Sequence, residues 1–173
     1  TYGRLMDAGV AQNMSLFEID FMEKNLAMVP LYRTQAGAAA EWLTGMSRAA
    51  ASRGLATQLC SDTARDVISS VLMPAVTQFR GSMDFACSCD AEPWSGNWDM
   101  GQQGLLISAL GLGTSKDTFF TQGAQPGINH GQAKDCTVDN HHAELDLFVA
   151  TLSGGPVGFG DGADNTNKSL LMR

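Results

Sequence analysis

The chain has 173 residues, 44% hydrophobic and 17% charged, with a formal charge of −7. That is enough apolar sequence to bury a core and too much for wholesale disorder. The acidic balance argues against a phosphate-backbone partner, no apolar run approaches the ~18 residues of a membrane span, and four cysteines are too few for a disulfide scaffold. The opening residues TYGRLMDAGV lack a charged-then-apolar signal layout and an initiator Met.

In chain order, residues 14–22 (MSLFEIDFM) read as a short buried strand ending in an acid. The Ala-rich stretch 34–53 predicts a helix closed by Gly54. Residues 55–60 (LATQLC) form a second strand. Residues 62–72 predict a helix with Asp62 as N-cap, ended by Pro74. A third strand follows at 75–80 (AVTQFR), then a loop over 86–98. A helix over 100–110 closes at Gly111 or Gly113, and a fourth strand is expected at 117–121 (DTFFT). The polar, Gly/Asn/Asp-rich stretch 122–140 reads as a long loop, of a length usually tied to function. An amphipathic helix over 142–152, a short strand around 157–159 and a helix from 167 complete the chain. Strands alternating with helices predict an α/β fold with a parallel sheet and crossover helices.

Polar residues gather at the C-terminal ends of these strands: Asp20; Gln58, Cys60, Ser61 and Asp62; Arg80, Ser82 and Asp84; Thr121; then Asp161 and Asp164. In parallel α/β folds that edge carries the active site, because the loops there converge. Asp20 lies between Ile19 and Phe21, and Asp84 between Met83 and Phe85; an acid in an apolar run needs a partner or a task. On alternate strands of a barrel the two would share an interior layer, with carboxyls about 5–6 Å apart, the spacing of a retaining glycosidase pair. Trp94 and Trp98, in the loop after Asp84, are placed to stack on a sugar, whereas Trp42 reads as helix packing.

Other motifs carry less. Cys87 and Cys89 lack the Cys-x-x-Cys spacing of a zinc or redox site. Cys136, His141 and His142 read as a loop and helix start, since adjacent histidines on a helix diverge, and no metal site is assigned. The glycines 154, 155, 158, 160 and 162 match neither a dinucleotide fingerprint nor a phosphate-binding loop. DGADNTN lacks the acid spacing of a calcium loop.

The segments FEIDFM, QLCSDTARDVISSVLMPAVTQFRGSMDF, LLISALGLGTSKDTFFT and VATLSGGPVGFGDGADNTNKSLLMR together resemble the second half of a glycosidase-type (β/α)8 barrel. The group resembled is that of the α-galactosidases and raffinose synthases (glycoside hydrolase families 27, 31 and 36). The resemblance implies retaining cleavage of an α-glycosidic bond, with Asp20 as nucleophile and Asp84 as acid/base, the latter preceded by Arg80 and Ser82. It implies Cys60 as a substrate-lining residue and Gly154 and Gly155 in the strand-eight region. Glu18 stands where the group carries a Lys before the nucleophile. Glu18, Cys60, Arg80, Trp94, Trp98, Thr121 and Asp161 are the expected substrate-binding set, with no cofactor. The implied partners are a carbohydrate and the rest of the barrel; a secreted or lysosome-like compartment is open. The alternative is a non-catalytic carbohydrate-binding or structural protein on a degenerate barrel. A full barrel needs about 250 residues, so residues 1–173 are expected to form one incomplete barrel domain, about strands four to eight of a longer chain.

Overall fold

Every strand pairing among the described residues is parallel, and helices separate the strands, so the chain is α/β as its alternating pattern predicts. The computed structural model describes residues 2–60, 63–82, 95–122 and 142–172, with backbone only at 95–99. They form two units: Thr1–Arg80 with Ala109–Leu112, and Gly81–Ser108 with Gly113–Arg173.

The first unit runs α1 (Tyr2–Val10), β1 (Leu16–Ile19), α2 (Met22–Met28), α3 (Pro30–Thr34), α4 (Ala38–Ala51), β2 (Ala56–Leu59), α5 (Ala64–Ser69) with a 3₁₀ turn at Ser70–Leu72, and β3 (Val76–Arg80). β2 lies between β1 and β3. Ile19 pairs with Leu59 and Leu59 with Phe79, so alternation along each strand lines up one buried apolar row across all three. α4 packs on β2 and α1 on α4. After Ala38, the buried residues of α4 are Leu43, Met46, Ser47 and Ala50, which recur every three or four positions, the stripe of a half-buried helix. Each large side chain fully buried here is worth roughly 1.5–3 kcal/mol, more than any single hydrogen bond at the margin. The Ser47 hydroxyl accepts from the Ala75 amide at 3.0 Å, fixing α4 against the approach to β3.

The helix expected over 34–53 is shorter, because Gly37 at φ 86° separates it from α3; it ends as expected before Gly54, at φ 68°. α1, α2 and α3 have no counterpart in the sequence reading. Thr63, rather than Asp62, caps α5: the Asp66 carboxylate turns back to accept from Thr63 N at 2.9 Å and Thr63 Oγ1 at 2.8 Å. Asp62 and Ser61 lie outside the described residues.

The second unit contains α6 (Ser95–Ala109, its last residue in the first unit), β4 (Gly113–Ser115), α7 (Ala143–Leu152) and α8 (Lys168–Leu171). The fourth strand therefore precedes the expected 117–121. Side chains take the amides at that site: Asp117 N donates to Ser82 Oγ at 2.8 Å and Thr118 N to the Asp117 carboxylate at 2.9 Å. What remains is a single parallel bridge from Phe119 to Phe159, where the short late strand was expected, and another from Thr114 to Gly154. A Cβ at Gly155 would fall 2.4 Å from the Thr114 carbonyl oxygen, so only glycine admits this approach. α6 begins within the stretch read as a loop, and Asn167 caps α8 by accepting from Leu170 N at 3.1 Å. Among the described residues no helix is long and apolar enough to cross a membrane.

Candidate functional site

Polar side chains in the first unit cross the strands as a row. Glu18 on β1 is level with Gln58 on β2, and Gln58 with Gln78 on β3. Gln58 Nε2 donates to Glu18 Oε1 at 3.0 Å, and Gln78 Nε2 donates to Gln58 Oε1 at 2.8 Å. An ionised carboxylate only accepts, so Glu18 sets the direction of both amides. Gln58 is nearly buried, Gln78 half-buried and Glu18 exposed. Arg80 is half-buried, the last residue of β3 and two beyond Gln78, hence on the same side of the strand.

Asp20 lies just past the end of β1. Its neighbours in sequence are apolar, yet it is exposed: β1 stops at Ile19, and the chain turns outward at once. The turn is made by Phe21, whose backbone is left-handed (φ 56°, ψ 36°). For a bulky residue that conformation costs about 1–2 kcal/mol. Phe21 N donates to Asp20 Oδ1 at 2.6 Å, and Asn25 Nδ2 donates to the Asp20 carbonyl at 3.2 Å. The carboxylate is thus held by its own turn at the C-terminal end of a parallel strand. Strained backbone of this kind concentrates where a side chain must be aimed.

Cys60 is fully buried, with its amide on the Ile19 carbonyl at 2.9 Å, so it packs beneath the strand ends instead of facing an open surface. In the second unit, Thr121 and Asp161 do meet. Thr121 N and Oγ1 donate to the two carboxylate oxygens at 2.9 and 2.8 Å, and Thr121 Oγ1 accepts from Asn167 N at 2.7 Å. With Thr121 1% exposed, this is a latch between segments. Gln122 Nε2, donating to the Asn165 carbonyl, extends it.

Trp98 belongs to α6, a helix where a loop was expected. Asp84, Trp94, Cys87, Cys89, Cys136 and His141 lie outside the described residues. Among the described residues no group of three or more His, Cys, Asp or Glu side chains is arranged to hold a metal. Trp42 packs as expected, stacked on Tyr32 at 5.3 Å between ring centres and tilted against Tyr2.

Sequence reasoning missed Gln78, Phe21 and the buried pair Lys116–Asp146, whose Nζ and Oδ1 are 3.2 Å apart. Gln78 had a signal in the alternation of VTQFR, two residues before Arg80. No protein-family model, curated protein or solved structure matches the chain.

Proposed function

We propose that this chain is the C-terminal part of a (β/α)8 barrel of glycosidase type and acts on carbohydrate by a retaining, two-carboxylate mechanism. The observation that carries the reading is Asp20, exposed just past the end of a parallel strand on a strained turn, two residues after Glu18 of the Glu18–Gln58–Gln78 row that crosses the three strands. Asp20 attacks the anomeric carbon and Asp84 protonates the departing glycosidic oxygen. Water activated by Asp84 then releases the sugar from Asp20 with its anomeric configuration kept. Glu18 and Arg80 bind sugar hydroxyls. Trp94 and Trp98 supply stacking faces, and Thr121 with Asp161 holds the segment that follows them. The resemblance of the four quoted segments supports the same assignment.

The second reading is a carbohydrate-binding protein without turnover. It draws on one feature: Asp20 Oδ1 already accepts from Phe21 N, which occupies one oxygen of the nucleophile.

A screen of the protein against aryl α-glycosides, with Asp20→Asn and Asp84→Asn alongside, separates the two. Turnover is expected, with loss of about 10³-fold or more in each variant and an α-configured first product by NMR. Binding of the sugars without turnover selects the second reading. Turnover that survives both substitutions overturns the carboxylate mechanism.

A further inference from the structure

We propose that Gln78 is a ligand-recognition residue: its Oε1 is a fixed acceptor for one hydroxyl of a bound sugar, held in that orientation by Glu18 acting through Gln58. This deepens the carbohydrate reading of the same strand ends and rests on it. The direction of the row is decided at one end. The Glu18 carboxylate has no proton to give, so Gln58 meets it with Nε2, at 3.0 Å. Gln58 Oε1 is then the atom left for β3, and it takes Gln78 Nε2 at 2.8 Å. Gln78 is thereby committed to donating to Gln58, and its own Oε1 is the terminal acceptor of the row. Turning over either amide alone would set two acceptors face to face.

That acceptor is within reach of a ligand. Among the described residues no group donates to Gln78 Oε1. Gln78 is only half-buried, and the atom keeps contact with solvent. Its place is also right. Gln78 stands two residues before Arg80 on β3, on the same side of the strand, as Glu18 stands two residues before Asp20. The row therefore underlies the strand ends by one repeat of the pleat, about 6–7 Å, and a sugar held at Asp20 and Arg80 has Gln78 next below it. A glutamine side chain is ordinarily free among many rotamers. Here the two hydrogen bonds of the row order it before any ligand arrives, so binding does not have to supply that ordering. The oriented Oε1 accepts and cannot donate, so it selects a hydroxyl over an ether, a fluorine or a bare methylene at the position it meets.

The test follows binding to the whole chain by amide NMR. The probes are methyl α-D-galactopyranoside, methyl α-D-glucopyranoside and methyl α-D-mannopyranoside, then the monodeoxy and monodeoxyfluoro derivatives of whichever binds most tightly. Fluorine cannot donate, so it reports the direction of the hydrogen bond. At one hydroxyl position the deoxy and deoxyfluoro sugars are both expected to bind the wild-type protein about three- to tenfold more weakly than the parent, the worth of one hydrogen bond. Gln78→Met, matched in length and without the acceptor, abolishes that difference at that position alone. Glu18→Gln frees both amides to turn over together, so that Gln78 Nε2 faces the ligand and the deoxyfluoro sugar gains on the deoxy one. A Gln78 that only supports the sheet would lower the melting temperature on substitution and leave hydroxyl selectivity as it was, which overturns the proposal. It is overturned as well if none of the three parent sugars binds, or if Glu18→Gln leaves the deoxyfluoro-to-deoxy ratio unchanged. The full pattern of selectivity in a protein that turns over no aryl α-glycoside sinks the carboxylate mechanism and leaves the role of Gln78 standing. Turnover without that pattern does the reverse.

Discussion

Across β1, β2 and β3 the buried row is apolar, Ile19–Leu59–Phe79, and the polar row Glu18–Gln58–Gln78 emerges toward solvent at Glu18. In the second unit one ion pair is itself buried. Lys116 and Asp146 have side chains only 5% and 7% exposed, and Thr121 closes on Asp161 and Asn167 at 1% exposure. Among the described residues the first unit has one comparable acid, Asp66, but it serves its own helix start three residues away. The contrast teaches where each unit's specificity comes from. Regular strands bury enough apolar surface to hold themselves. A unit in which single bridges join Thr114 of β4 to Gly154 and Phe119 to Phe159 relies on polar links between distant segments, each intolerant of losing a partner.

The sharpest way to break this comparison is Lys116→Met. The methionine fits the volume beside the Phe119 ring, which now lies 5.4 Å from the ammonium, but Asp146 loses its cation in a buried setting. Removal of one member of a buried pair costs about 3–5 kcal/mol, read as a lower urea midpoint for unfolding. A loss under ~1 kcal/mol, the worth of a surface pair, would mean that the second unit is held much as the first is. Thr121→Val is expected to cost less, about 2–3 kcal/mol, for one charge-assisted hydrogen bond and the stranded Asn167 amide. Thr121→Ser, which keeps the hydroxyl, should recover most of that, measured by the same unfolding curves.

The same contrast explains what could be read from the sequence. FEI, ATQL and VTQFR carry apolar alternation in short runs, so the second and third strands lie within a residue of their expected bounds, while β1 ends three residues before the expected 22, and the Ala-rich α4 announces itself with Gly54 behind it. α1 buries Met6 alone among its residues and contains Gly3 and Gly9; α2 buries Met22 and Leu26. Neither offers a periodic stripe long enough to detect. Asp20 was legible as a strand-end acid, but its exposure and strained turn were not, because a left-handed Phe21 contradicts local preference and is imposed by the surrounding fold. The Glu18–Gln58–Gln78 row needs strand register, including the irregularity between Thr57 and Gln58. Lys116 sits in TSKDT, which reads as surface, and only the packing of α7 supplies the carboxylate that buries it.

The smallest expected effect lies on the surface of the first unit, where Arg53 Nε and Nη2 grip the two carboxylate oxygens of Asp7 at 2.6 and 3.1 Å and tie the end of α4 to α1. The hydrogen bonds from Arg53 hold the Asp7 carboxyl below its ordinary value of 3.8, and the same contact raises the Arg53 guanidinium. For an acid whose native value is depressed, the unfolded chain binds the proton more readily. The pair's contribution is therefore complete above about pH 5, begins to fade as the pH falls through the ordinary carboxylate range, and is gone below the lowered native value. Asp7→Asn should melt slightly lower than wild type at pH 7, with the gap narrowing as the pH falls below the ordinary carboxylate range and the gap at pH 7 shrinking in high salt because the pair is exposed to solvent. A gap at pH 7 as large as that of Lys116→Met, or one that ignores salt, would place Asp7 and Arg53 among the links that hold a unit together and erase the distinction between a polar margin and a polar interior.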